Sequence, residues 1–284
     1  MARLAALALV VAAACANGAA QNGDARGSDG PRSDARGSDG SGDAQRDGAQ
    51  PGPPHVLLSE ICLGPDGSEF VELVNPTTSS TDLSQYYLAN HGSYFKLPAG
   101  APTLPTDHWI ARFPSGATIA AGGIVTVAMQ SASTFHTAFG VNPTYSISDG
   151  TMTVVDMPGG STPRLTDSGS FVVLFQWDGS TALVRDVDMM FAGTVSSPNT
   201  LISKSGYTQM GVTYASDANS IPQNLATPAL GKSTKRVSLE SGHETQGGVG
   251  NGITGHDETS EETDDTWDQT FTAPTPGSAP AGIL

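Results

Sequence analysis

The chain has 284 residues, among them 34 Gly and 19 Pro, with 14% charged residues and a formal charge of −15. So much Gly and Pro excludes a helical bundle and favours short strands joined by turns. The length suits one large domain or two small ones, and 28 acidic residues against 13 basic ones exclude nucleic acid as a partner, because Lys and Arg must displace the counterions of the phosphates.

Met1-Ala2-Arg3 leads into the apolar stretch Leu4 to Val11, followed by Ala12, Ala13, Ala14 and Cys15. A bilayer needs about 20 apolar residues, so residues 1–14 read as a signal peptide rather than a span. Cys15 follows small residues as in the lipobox of bacterial lipoproteins, which this segment resembles, with Ala12 where Leu is usual. The resemblance implies a lipid on Cys15 and a membrane as partner. The alternative is ordinary cleavage after an Ala-x-Ala, with Cys15 discarded or left as a free thiol. In a two-membrane bacterium Ala16 lacks the Asp that retains lipoproteins in the inner membrane, which places the protein at the outer membrane or cell surface; without the lipid it is secreted or periplasmic. Cys62, in the apolar run Val56 to Leu63, reads as a buried small hydrophobe.

Residues 15–54 have almost no large apolar side chains and repeat Asp-Ala-Arg-Gly-Ser-Asp-Gly at 24–30 and 34–40. Such a stretch buries too little surface to offset its ordering entropy, so a disordered linker is expected. Fully extended at about 3.3 Å per residue it reaches on the order of 100 Å, and a flexible coil averages far less. Its Asp residues lack the alternation and the twelfth-position Glu of a calcium loop.

Strand signals begin after Pro54. Val56 to Leu63 and Glu69 to Asn75 flank Gly64-Pro65-Asp66-Gly67, which predicts a hairpin. In the second run both faces carry apolar groups, which predicts a central strand with Glu72 and Asn75 as hydrogen-bonded structural polars. Tyr86 to Ala89, Ile110 to Phe113 and Ile124 to Met129 read as further strands. Ser131 to Gly140 reads as one short helix with Ser133 as N-cap and Gly140 as its stop. Ser170 to Trp177 and Thr181 to Met189 flank Asp178-Gly179-Ser180 as a second hairpin. Residues 193–230 read as a loop insertion and Arg236 to Leu239 as a late strand. Trp267 and Phe271 then return apolar surface to the core, and 280–284 form a tail.

These residues resemble the lamin tail domain, an immunoglobulin-like β-sandwich. The resemblance rests on Leu58-Ser59-Glu60-Ile61-Cys62, on Gly67-Ser68-Glu69-Phe70-Val71-Glu72-Leu73-Val74-Asn75-Pro76, and on Thr81 to Leu88. Ile119 to Val127, Phe171 to Asp188, Asp265-Thr266-Trp267 and Thr275-Pro276-Gly277 fit the later parts of the pattern. It implies an all-β sandwich over 55–279, longer than the usual domain, with insertions near 141–168 and 193–230. Short strands punctuated by Gly and Pro lead to the same two-sheet architecture.

No hydrolase elbow, zinc helix or phosphate loop is present, and the residues nominate no catalytic, cofactor or metal group. His55, His91, His108, His136, His243 and His256 lack paired ligand spacing. The acidic run 256–265 offers hard oxygens suited to calcium, but reads first as a solvated acidic loop. Phe113, Phe135, Trp177 and Tyr214 are apolar interface candidates, each more commonly core. The expected function is a non-enzymatic, envelope-anchored lipoprotein whose sandwich binds a surface protein or polysaccharide through its loops. The alternatives are an exported hydrolase with a site in the insertions, or a purely structural envelope component.

Overall fold

The computed structural model describes residues 54–217, 229–240 and 250–284. The signal segment, Cys15 and nearly all of the linker lie outside the described residues. Five strands form one sheet in the order β14-β1-β2-β7-β8, built from Leu57–Cys62 (β1), Phe70–Val74 (β2), Ile124–Ala128 (β7), Tyr145–Ser146 (β8) and Ser233–Lys235 (β14). A second has the order β11-β10-β4-β5-β9, from Tyr86–Ala89 (β4), Ile110–Arg112 (β5), Thr153–Asp156 (β9), Gly169–Gln176 (β10) and Arg185–Gly193 (β11). Thr81–Asp82 (β3) pairs with Thr118–Ile119 (β6), and Thr208–Gln209 (β12) with Val212–Thr213 (β13). The helices are Ala132–Phe139 (α1), Pro198–Ile202 (α2) and Thr263–Thr266 (α3).

The pleat sends alternate side chains to opposite faces, and both faces of each central strand are used. In β10, Val172 and Leu174 join Leu58, Val71, Leu73, Leu88, Trp109 and Val127 in the core between the sheets. Phe171, Val173 and Phe175 point the other way, into a second apolar layer with Tyr94, Phe95, Ile202 and Tyr214. On the outer face of the first sheet Cys62 and Phe70 lie under Phe135 of α1. The second layers explain why β2 and β10 carry apolar side chains on both faces.

The insertions are part of this architecture. Residues 141–168 supply β8, which runs parallel to β7, and β9, which pairs with β5, so each sheet gains an edge. Residues 193–217 carry α2 and the β12–β13 pair, with Ile202 and Tyr214 buried in the second layer. Several boundaries move from the sequence expectation. The cap of α1 is Ser131, whose Oγ accepts from Thr134 N at 3.2 Å, because the chain at Ser131 is still extended; Ser133 lies inside the helix. Gly140 stops it at φ 73°. The second hairpin opens late, since Asp178 Oδ1 accepts from Ser180 N and Thr181 N at 2.8 and 2.7 Å, holding a loop where a strand was expected from Thr181. The late strand is Ser233–Lys235 rather than 236–239, and pairs with β1. The tail is not separate, because Ile283 packs with Leu57 and Val74.

Two buried acids close the chain onto the first sheet. Glu60 and Glu72 face each other across β1 and β2. Glu60 accepts from Thr275 N at 2.8 Å, and Glu72 from Gly277 N, Thr126 Oγ1 and Ser59 Oγ. Asn75 donates to Ser79 O at 2.8 Å and Ala120 O at 3.0 Å. Both expectations for Glu72 and Asn75 are met.

Burial pushes Glu72 from 4.5 up to about 7, and does the same to Glu69, which accepts from Leu165 N at 2.6 Å. The folded state therefore keeps protons that the unfolded chain releases near pH 4.5. Stability from these groups is complete below that pH and is lost as the pH rises through about 7, by on the order of 3 kcal/mol each. Urea unfolding between pH 5 and 8 should show this slope, and Glu72→Gln, a mimic of the protonated acid, should remove about half of it, the part left belonging to Glu69.

Candidate functional site

A surface concavity of about 520 Å³ opens where the β10–β11 loop meets Gln85, which precedes β4. Trp177 N donates to Gln85 O at 2.9 Å, fixing the loop to the strand, and Trp177 Nε1 donates to Thr181 O at 2.9 Å. The half-buried indole lies 6.2 Å from the ring of Tyr87, itself stacked on Phe175 at 5.1 Å. Around it stand Gln176, Asp178 and Arg185, whose guanidinium donates to the Gln176 side chain, and exposed Val212 from the insertion. Bonds from the Thr181 and Ser180 backbone hold Asp178 down at about 2. The groove thus offers one rigid indole, two amides, a guanidinium and a carboxylate. A second hollow, about 600 Å³, is lined from the 141–168 insertion by Ile147, Met152, Met157 and neighbouring small and polar residues, with no titratable side chain.

Beneath the surface two buried cations organise the acids. Arg236 is fully buried, donating through Nε to Leu58 O at 2.7 Å, through Nη2 to Asp188 Oδ2 at 2.7 Å and through Nη1 to Glu261 Oε1 at 2.5 Å. The indole of Trp267 lies 5.0 Å from the guanidinium. Leu58 N also donates to Asp188 Oδ2, at 2.7 Å. His55 Nε2 stands 2.7 Å from Glu240 Oε1. Burial pushes the Asp188 carboxyl well above the usual carboxylate range, against the pull of Arg236. The other cation, Lys204, sits 2.7 Å from Asp186 and 2.9 Å from Asp217, under the hydroxyl of Tyr94. Burial opposes its charge, but the two carboxylates outweigh burial and raise its pKa.

Residues 49–187 match the model of the Lamin Tail Domain family. This segment is a lamin tail domain. Among solved structures the chain is similar to a DUF4876 family protein from Bacteroides thetaiotaomicron, at 16% identity and a TM-score of 0.41, covering 82% of this chain and 75% of that one. No curated protein matches it.

The fold brings together residues that the sequence kept apart. Phe113, Phe135 and Tyr214 are buried, and only Trp177 of the four interface candidates lines the groove. The acidic run is not a solvated loop: Asp257, Glu258 and Glu261 are buried, because that segment packs on β11 and supplies Glu261 to Arg236. Cys62 is buried and free, its thiol pushed up to about 11 by burial. His91 and His108 meet with ring centroids 4.7 Å apart. Neither this pair nor His55–Glu240 has a sequence signal, since both are made by tertiary contact alone. No helix among the described residues is long and apolar enough to cross a membrane.

Removing one partner of a buried ion pair strands the other's charge, at about 3–5 kcal/mol. Arg236→Met, which strands Asp188 and Glu261, and Lys204→Met, which strands Asp186 and Asp217, should each lower the unfolding free energy by about that amount, measured as a shift of the urea midpoint.

Proposed function

We propose that this protein is a non-enzymatic bacterial lipoprotein, anchored in the outer membrane or at the cell surface by a lipid on Cys15, whose lamin tail domain binds polysaccharide in the Trp177 groove. The observation that carries the reading is the lining of that groove. Sugar rings present apolar C–H faces that an indole covers at low entropic cost, and hydroxyls that amide, guanidinium and carboxylate groups bond in pairs. Concave sites with an apolar floor and a few convergent polar groups are the usual form of small-ligand sites.

A binding role is supported over hydrolysis by the state of the acids. Asp178 is committed to its own turn, while Asp186, Asp188 and Asp217 are buried against Lys204 or Arg236 rather than lining the groove. Anchoring is supported by Arg3, the apolar stretch Leu4 to Val11 and the small residues before Cys15. The linker following Cys15 would hold the domain clear of the membrane.

Affinity electrophoresis against purified cell-surface polysaccharides should show retardation of the wild type, and Trp177→Ala should weaken it at least about tenfold, in line with the loss of an aromatic anchor. Equal retardation of both proteins would sink the groove assignment. Separately, mass spectrometry of the mature protein should find acyl chains on Cys15, and Cys15→Ser should release the protein into the soluble fraction. A mature chain beginning beyond Cys15 would refute the anchor.

A further inference from the structure

Arg236 lies among several buried acids. Asp188, Glu240, Glu258 and Glu261 are all buried there, Asp188 and Glu258 completely and Glu240 to within 4%. One oxygen each from Asp188, Glu240 and Glu261 lie within 4.8 Å of one another, and Glu240 shares a second such group with Glu258 and His55. Arg236 spends its bonds on Asp188 Oδ2, Glu261 and Leu58 O. Asp188 Oδ1 and Glu240 Oε2 have no hydrogen-bond partner among the described residues. Buried carboxylate oxygens without a partner, as at Asp188 and Glu240, carry a heavy desolvation cost that a proton or a further cation can offset.

We infer that Asp188, Glu240 and Glu261, flanked by Glu258 and His55, hold a divalent cation of the calcium class. Hard carboxylate oxygens suit calcium, whose bonds run about 2.3–2.6 Å, and the candidate ligand atoms of each group lie close enough together for one ion to reach them. The donors come from distant parts of the chain: His55 precedes β1, Asp188 lies in β11, Glu240 follows β14, and Glu258 and Glu261 precede α3. The ion would fasten the C-terminal segment to both sheets. The groove at Trp177 takes no part in this assignment, which stands or falls independently of sugar binding.

The test is thermal unfolding of the full-length chain at pH 7, dialysed against EDTA and then given calcium at about 2 mM, a level that fills weak extracellular sites. We expect melting to rise by about 5 °C. Glu240→Gln, whose amide oxygen can still accept from His55 Nε2, should abolish the calcium-induced rise while still melting cooperatively in EDTA. Asp264→Asn, at an exposed acid of the same segment, should keep the rise. Elemental analysis of wild type purified without chelator should find about one calcium per chain, a readout independent of whether Glu240→Gln folds. No rise with calcium, a rise with zinc alone, or a calcium-induced rise retained by Glu240→Gln would each overturn the assignment.

Discussion

A guanidinium removed from water must have its donors met by acceptors and its face covered, and Arg236 meets these demands with groups from three parts of the chain. Leu58 O comes from β1, Asp188 from β11, and Glu261 and Trp267 from the C-terminal segment. Asp188 also takes the amide of Leu58. One side chain thereby fixes the spacing of the two sheets and the position of the acidic segment over them. Arg236 and Leu58 are 178 residues apart, so this contact closes only when most of the chain is in place, and such non-local closure belongs late in folding.

Lys204 does for the outer layer what Arg236 does for the inner one. It brings the 193–217 segment down on β11 by pairing Asp186 with Asp217, while Asn251 bonds Asp217 from the far end of the chain. Asp186 and Asp188 lie two apart on the same strand, where a bulge between Leu174 and Phe175 of the partner shifts the register. With the outer face of the second sheet covered by this layer, the rim at Gln85, Trp177 and Arg185 stays at the surface.

The sequence showed faces better than partners. Glu69 to Asn75 carries apolar side chains in both phases, enough to place β2 at the centre of a sheet, and the turn residues around 64–67 and 178–180 fixed where chains reverse. The burial of the acidic stretch has no local sign, because it contains neither Lys nor Arg between Glu240 and Asp268. Arg236, only four residues before it, carried no local sign of being the counter-ion. The 193–230 region looked like loop for the same reason: Lys204 and Asp217 are polar in sequence and become core only when they meet. The groove was legible in one residue, Trp177, since its other walls come from Gln85, Arg185 and Val212 on separate elements.

The stretch that matches the lamin tail model ends at residue 187, inside β11 and one position before Asp188. What is recognisable as family and what folds as a unit therefore differ. The added material is held by charges that cannot change singly: losing Lys204 strands Asp186, and losing Arg236 strands Asp188, whereas removing acid and base together leaves nothing uncompensated. Across descendants of this chain, positions 186, 204 and 217 should covary as one set and 188, 236 and 261 as another.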